Sequence, residues 1–109
     1  MKRNFTQEVN KITRVLTEKY QPDKIILYGS VAAGRGTPDS DIDMLIVKKT
    51  SLSRLERIRY VSDLFPDRVV PFDPIVFTER ELEHEMSRNP VMRQIINSGK
   101  VLYERQRIR

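Results

Sequence analysis

Apolar residues recur at intervals of three and four at the start of the chain. The residues that follow this spacing are Phe5, Val9, Ile12, Leu16 and Tyr20. Such spacing places the side chains on one face of a helix, and Asn4 with Gln7 is a suitable capping pair for its first turn. We therefore predict an amphipathic helix that ends near Gln21-Pro22-Asp23.

Two short apolar runs further along the chain predict buried strands. The first, Ile25 to Tyr28, is stopped by Gly29-Ser30, and residues 31–33 have the composition of a short helical turn before a loop over 34–39. The second run, Asp41 to Val47, is apolar on both faces except at its beginning. That pattern is typical of a central strand covered by helices.

A third β-rich run, Val69 to Phe77, contains two prolines. Because Pro71 and Pro74 cannot donate to a strand ladder, this strand should lie at an edge of the sheet or contain a bulge. Residues 101–103 are expected to form a short closing strand, with Gly99 ending the helix before it.

Three further helices are marked by residues that cap helix ends. Ser53 with Glu56 and Thr78 with Glu81 form capping boxes, and Asn89-Pro90 suits an N-cap followed by a first helical position. The first of these helices should end near Pro66. The positions expected to face the core are Leu55, Ile58, Ser62 and Phe65 in the first helix, and Val91, Met92, Ile95 and Ile96 in the last.

Length and composition favour one small globular unit. With 109 residues, we expect a single domain over 1–109 with no room for a second recognition domain. No apolar run is longer than four residues, far short of the roughly 18 that a bilayer requires, so no membrane span is expected. The lack of cysteine excludes disulfides and cysteine-based metal sites, and we expect a cytoplasmic location.

The net charge of +5 is unevenly distributed. The last ten residues form a basic tail, which contains Lys100, Arg105, Arg107 and Arg109 against Glu104. This tail either binds phosphates or an acidic partner, or is a solvated terminus. Four glutamates between residues 79 and 85 are expected on the solvated face and first turn of a helix.

Gly29-Ser30 and three aspartates are the candidate functional residues. Gly29-Ser30 lies where a strand turns into a short helix, so backbone N–H groups there would face an anion such as phosphate. After ten further residues, Asp41 and Asp43 place two carboxylates on the same side of a strand, and Asp73 is the best candidate for a third ligand. Because neighbouring acids repel without a cation, we predict a divalent metal site whose oxygen donors suit Mg²⁺ or Mn²⁺.

Gly29-Ser30, followed after ten residues by Asp41-Ile42-Asp43, resembles the signature of the DNA polymerase beta-like nucleotidyltransferase superfamily, and in particular of its minimal nucleotidyltransferases. The resemblance covers the chain from Asp23 to Phe77. It implies an α/β (α+β) fold with a mixed β-sheet flanked by helices. It also implies an enzyme that transfers a nucleoside monophosphate from a nucleoside triphosphate to a hydroxyl and releases pyrophosphate.

The resemblance further implies roles for individual residues. Asp41 and Asp43 would hold two magnesium ions, and Asp73 would complete the site of the ion nearer the attacking hydroxyl. Many family members carry a basic residue within positions 31–33, which are apolar here. Arg35 either takes over that role or is an exposed loop arginine without one. The residues expected to bind the nucleotide are Gly29, Ser30, Gly34 and Arg35.

Proteins that resemble this chain are commonly paired with small helical HEPN toxins, and some act as antitoxins by adenylylating a tyrosine of that partner. By resemblance we expect ATP as the donor, a HEPN-type toxin as the partner, and possible oligomers. Two alternatives remain open. The chain could be a non-catalytic binding module that neutralises its partner by contact, or a nucleotidyltransferase acting on nucleic-acid 3′ ends.

Overall fold

A computed structural model describes residues 5–37 and 39–106, which form a four-stranded mixed sheet with helices on both faces. The helices are α1 (Phe5–Val15, continued by a π-helical turn, Leu16–Tyr20), α2 (Gly29–Ala32), α3 (Arg54–Ser62), α4 (Glu79–Arg88) and α5 (Pro90–Ser98). The strands are β1 (Lys24–Tyr28), β2 (Ile42–Val47), β3 (Phe72–Phe77) and β4 (Lys100–Glu104). The predicted fold class is confirmed. Within the described ranges, every helix is too short or too polar to cross a membrane.

The strands lie in the order β3-β2-β1-β4. β1 pairs antiparallel with β2 and β4, whereas β2 and β3 are parallel. β3 is therefore an edge strand, as its prolines predicted, because an edge strand needs backbone donors on one side only. Pro74 lies opposite Met44 in a regular register, and the Pro71 carbonyl accepts a hydrogen bond from the Ile42 N–H at 2.8 Å.

Each face of the sheet is covered by its own apolar layer. The larger layer lies on the side of α1 and α3, where Ile12, Leu16 and Val61 are fully buried against the sheet. The smaller layer lies on the side of α4 and α5 and comprises Ile26, Leu45, Val47, Phe77 and Met92. Because side chains alternate along a strand, residues 28 and 43 project from this second face.

The caps predicted for α3, α4 and α5 are present. In α3, Ser53 Oγ accepts a hydrogen bond from the Glu56 N–H at 3.3 Å, and Glu56 Oε1 accepts one from the Ser53 N–H at 3.0 Å. α4 begins with the same reciprocal arrangement between Thr78 and Glu81. The Asn89 side chain caps α5. The predicted cap of α1, Asn4, lies outside the described residues.

Two predicted core positions are wrong, since Leu55 and Val91 are each 65% exposed. The buried residues of α3 are instead Arg57 and Val61, and the helix ends at Ser62, before Pro66. Phe65, which follows the helix, is buried as predicted. In α5, Met92 is the buried residue. In both helices the first apolar residue after the cap lies on the outer side of the opening turn, so apolar character alone misplaced the buried face.

Arg57 is buried because its guanidinium joins three parts of the chain. Its Nε donates to the Leu52 carbonyl at 2.8 Å, and its Nη1 donates to the Val76 carbonyl at 3.1 Å and to Glu81 Oε1 at 2.6 Å. Glu81 is therefore paired with Arg57 and is not on the solvated face that was expected for the glutamates of α4. The ion pair and the capping box together lower the pKa of Glu81 to about 2.

Candidate active site

Tyr28, Asp43 and Asp73 form a row across three neighbouring strands. In the register of the sheet, Tyr28 of β1 lies opposite Asp43 of β2, and Asp43 lies opposite Asp73 of β3. Directly opposed residues share a face, so the three side chains stand next to one another on the side of α4 and α5. We call this set the acid row. It lies at the end of the sheet where β1 stops and β2 and β3 begin.

The Gly29 turn lies directly against this row. Gly29 has a φ of +82°, a left-handed conformation that glycine adopts without the penalty of other residues. A Cβ atom at this position would collide with Oδ2 of Asp43. The Asp43 carboxylate therefore lies over the backbone of the turn, and the fold places an acid in contact with the segment predicted to bind phosphate.

The carboxylates of the site act strongly on one another. Burial, the charges of Asp73 and then of Asp41, and a hydrogen bond with the Asp73 carboxyl raise the pKa of Asp43 to about 6. The structure thus brings together all three aspartates that the sequence singled out. Asp41 and Asp73 are exposed, whereas Asp43 is half-buried between them.

The donor chemistry of this cluster fits a hard divalent cation. Two carboxyl groups on opposed residues supply oxygen ligands of the kind that Mg²⁺ and Mn²⁺ prefer, and a cation would relieve the repulsion between them. In residues 5–37 and 39–106, however, no group of three or more Asp, Glu, His or Cys side chains is already arranged around one ion position. The three acids are neighbours without forming a completed coordination shell.

The loop after α2 is tied back to Ser30. Ser30 Oγ donates to Ser40 Oγ at 3.3 Å, and Ser40 Oγ accepts from the Thr37 N–H at 2.7 Å. The Arg35 N–H donates to the Ser30 carbonyl at 2.8 Å. These bonds connect the Gly29 turn to the approach of β2, so the predicted phosphate-binding segment and Asp41 are held within one local framework.

Gly34 and Arg35 lie on the exposed side of this loop. Gly34 has a φ of +73°, and an added Cβ would meet no atom within 4 Å, so the backbone conformation alone favours glycine there. Arg35 is exposed. Both residues follow the Gly29 turn closely along the chain, but within the described residues neither contacts the acid row.

Tyr28 is the member of the row that the sequence analysis did not select as a functional residue. Burial, together with the charges of Asp43 and Asp73, raises the pKa of Tyr28 to about 12, so its phenol stays protonated. A tyrosine that ends a buried strand has the pattern of a core aromatic. The one signal in the sequence was its place directly before Gly29; its position on the face of Asp43 depends on the register of β1 and β2.

Comparisons with known proteins identify the family of this chain. The polymerase beta nucleotidyltransferase family matches residues 10–108. MJ0604 and MJ1305 of Methanocaldococcus jannaschii, both provisionally named protein adenylyltransferases, are each 30% identical to this chain. The match with MJ0604 covers 92% of this chain and 99% of the relative. The match with MJ1305 covers 74% of this chain and 58% of the relative, so the chain spans little more than half of that protein.

Solved structures share the fold. A provisionally assigned nucleotidyltransferase from Sulfolobus solfataricus has a TM-score of 0.60 at 22% identity, over 91% of this chain and 79% of that one. The toxin-antitoxin complex MntA-HepT has a TM-score of 0.59 at 22% identity, over 93% of this chain and 74% of the matched chain. A toxin-antitoxin structure with AMP-PNP has a TM-score of 0.58 at 24% identity, over 89% of this chain and 73% of the matched chain. These three likenesses concern the fold alone.

The family match extends over most of the chain, and one relative is matched almost from end to end. Both findings agree with the mixed four-stranded sheet and its flanking helices. The chain belongs to the polymerase beta nucleotidyltransferase family, as the Gly29-Ser30 and Asp41-Ile42-Asp43 motifs predicted.

Proposed function

We propose that this chain is a metal-dependent nucleotidyltransferase that moves AMP from ATP to a tyrosine hydroxyl of a small helical HEPN-type toxin. It would thereby act as the antitoxin, in the cytoplasm where ATP is available. The observation that carries the proposal is the position of Asp43, which lies over the Gly29 turn and directly opposite Asp73 in the sheet. The names of the two relatives support protein adenylylation, and the toxin-antitoxin neighbours support the partner.

In this proposal the acids hold the cations. Asp41, Asp43 and Asp73 would bind two Mg²⁺ ions, or Mn²⁺, with Asp43 shared between them because it stands between the other two. Two such ions, when bound, stabilise the attacking and leaving oxygens of an in-line displacement. The Asp43→Asn substitution should therefore affect the reaction more than a change at either outer acid.

The chain's own groups would position the substrates and move one proton. The acceptor hydroxyl oxygen forms a bond to the α-phosphorus, the bond from that phosphorus to the oxygen bridging the β-phosphate breaks, and pyrophosphate leaves with the electron pair. Asp73, at the outer end of the row, accepts the hydroxyl proton. The N–H groups of Gly29 and Ser30 lie at the start of α2, where amides lack helical partners, and would bind the departing phosphates.

A transfer assay tests this proposal. The protein is incubated with Mg²⁺, ATP labelled at the α-phosphate, and the small helical protein encoded beside it. The wild type should label that partner on tyrosine, and Asp43→Asn should reduce labelling by at least 100-fold, since one lost transition-state contact typically costs 10²–10³ in rate. Asp67→Asn is a matched control, because Asp67 is exposed in the loop after α3. Undiminished labelling by Asp43→Asn contradicts the metal mechanism.

The binding-module alternative makes the opposite prediction in cells. If the chain neutralises a toxin by contact alone, Asp41→Asn and Asp43→Asn should protect as well as the wild type does. If it acts by adenylylation, both substitutions should remove protection while the two proteins still associate. Co-purification and a growth assay with the same variants distinguish the two functions.

The nucleic-acid alternative depends on the basic tail. Arg105 forms an ion pair with Asp23 at 3.8 Å, and Glu104 pairs with Lys24 at 3.5 Å. Arg105 is therefore partly neutralised, while Arg107 and Arg109 lie outside the described residues. Labelled RNA whose binding weakens steeply with salt, and whose 3′ end is extended, would favour this alternative over protein adenylylation.

A further inference from the structure

Tyr28 stands in the acid row, and none of the roles above uses it. Its ring packs against the apolar layer of Ile26, Leu45, Val47, Phe77 and Met92, which fixes the side chain on the face of the acids. Tyr28 is nevertheless the direct cross-strand neighbour of Asp43, which in turn lies opposite Asp73. Tyr28 therefore lies where the apolar layer meets the site.

The hydroxyl of Tyr28 is available as a donor. It forms no hydrogen bond with any residue in the described ranges, whereas the neighbouring polar groups Ser30, Thr37 and Ser40 bond to one another. Tyr28 is also joined directly to Gly29, over whose backbone the Asp43 carboxylate lies. An anion held at the Gly29 turn by backbone N–H groups would therefore lie beside this phenol.

A neutral donor suits this position better than a charged one. A lysine or arginine next to Asp43 and Asp73 would pair with the carboxylates and oppose the binding of cations between them. A phenol can donate to a phosphate oxygen without neutralising the acids. The apolar residues at positions 31–33 give the Gly29 turn no basic side chain, so a donor from Tyr28 would add to the backbone N–H groups there.

We propose that Tyr28 is a nucleotide-binding residue, whose hydroxyl donates a hydrogen bond to a phosphate oxygen of ATP held between the acid row and the Gly29-Ser30 turn. This inference rests on the nucleotide site of the proposed function and adds a donor to it. The ring would also limit the entry of water at the edge of the apolar layer.

Calorimetric titration with Mg²⁺ and AMP-PNP tests the inference. Loss of one hydrogen bond to a charged phosphate should weaken nucleotide binding by Tyr28→Phe about tenfold or more. Tyr103→Phe is the matched control, because Tyr103 is a partly buried tyrosine of β4 that packs against the layer on the opposite face. The control should bind as tightly as the wild type. A wild-type dissociation constant for Tyr28→Phe would overturn the inference.

Mn²⁺ binding without nucleotide separates a direct contact from a structural effect. If Tyr28 contacts only the nucleotide, Tyr28→Phe should keep the Mn²⁺ affinity and melting temperature of the wild type. A parallel loss of Mn²⁺ affinity, or a variant that fails to fold, would show that Tyr28 supports the acid row instead and would overturn the proposed contact. A wild type that binds AMP-PNP but labels no partner refutes the proposed function alone.

Discussion

Replacing Asp43 with asparagine should stabilise the metal-free protein while removing its activity. At neutral pH the wild type holds an ionised Asp43 next to Asp73 and Asp41 in a half-buried position. Asparagine has nearly the same shape, can still donate a hydrogen bond to the Asp73 carboxylate, and carries no charge. The substitution therefore removes repulsion without creating a cavity.

The magnitude follows from the pKa of Asp43, which is raised from its ordinary value of 3.8 to about 6. At about 1.4 kcal/mol per pH unit, ionising this group in the folded protein costs at most about 3 kcal/mol. Partial exposure and solvent screening reduce this to roughly 1–2 kcal/mol. For a protein of this size, such a gain raises the melting temperature by roughly 4–8 °C per kcal/mol.

The pH dependence has a defined sign. The pKa of Asp43 is higher in the folded protein than in the unfolded chain. The free-energy cost of ionising Asp43 is therefore absent below the ordinary pKa of 3.8, grows as the pH rises between about 4 and 6, and is complete above 6. Urea unfolding in EDTA should therefore show equal stability for the wild type and Asp43→Asn near pH 4, and a more stable variant at pH 8. Asp67→Asn controls for the change in net charge.

Added Mg²⁺ should reduce this difference. A cation that binds the folded wild type stabilises it by mass action, whereas Asp43→Asn loses a ligand and gains less. An Asp43→Asn protein that is less stable than the wild type at pH 8 in EDTA would refute the reasoning, because the acids would then not repel. Equal stabilisation of both proteins by Mg²⁺ would refute the assignment of Asp43 as a metal ligand.

Three further predictions concern the Gly29 turn and the ion pair between Arg57 and Glu81. Gly29→Ala should destabilise the fold by more than about 2 kcal/mol and abolish AMP transfer, because the added Cβ collides with Asp43. Gly34→Ala should cost only the left-handed backbone penalty of roughly 1–2 kcal/mol. Thermal melting and labelling of both variants check this prediction, and equal effects of the two substitutions would contradict it. Arg57→Met should cost roughly 2–4 kcal/mol in urea unfolding, since Glu81 and the Val76 carbonyl lose their donor. Because the pKa of Glu81 is lowered from 4.5 to about 2, the advantage of wild type over Glu81→Gln should be complete above pH 4.5 and disappear as the pH falls to 2. An advantage that persists at pH 2 would show that the ion pair is not its source.

Local sequence signals predicted most of the fold. The capping boxes at Ser53 and Thr78 mark the true starts of α3 and α4, because the donors and acceptors they satisfy lie within four residues. The prolines of β3 placed it at an edge for an equally local reason. The inward position of Arg57 could not be predicted in this way, because two of its acceptors, Val76 and Glu81, are far along the chain.

The candidate site also combines features that local sequence signals predict with features that depend on residues far apart in the chain. The sequence predicted the spacing of Asp41 and Asp43 on one strand and the turn at Gly29-Ser30 that follows β1. That Asp43 opposes Asp73 depends on the parallel register of β2 and β3, which hydrophobic patterning does not specify. Tyr28 was missed because an aromatic side chain in a buried strand fits the core equally well, and only the register sets it beside the acids.

Crystals grown with Mn²⁺ and AMP-PNP provide the most direct measurement of the central claim, through the anomalous signal of manganese. The account predicts manganese peaks bonded to oxygens of Asp43 and shared with Asp41 and Asp73, with nucleotide phosphates against Gly29 and Ser30. Nucleotide bound away from the Gly29 turn, or an acid row without manganese at saturating concentration, would contradict it.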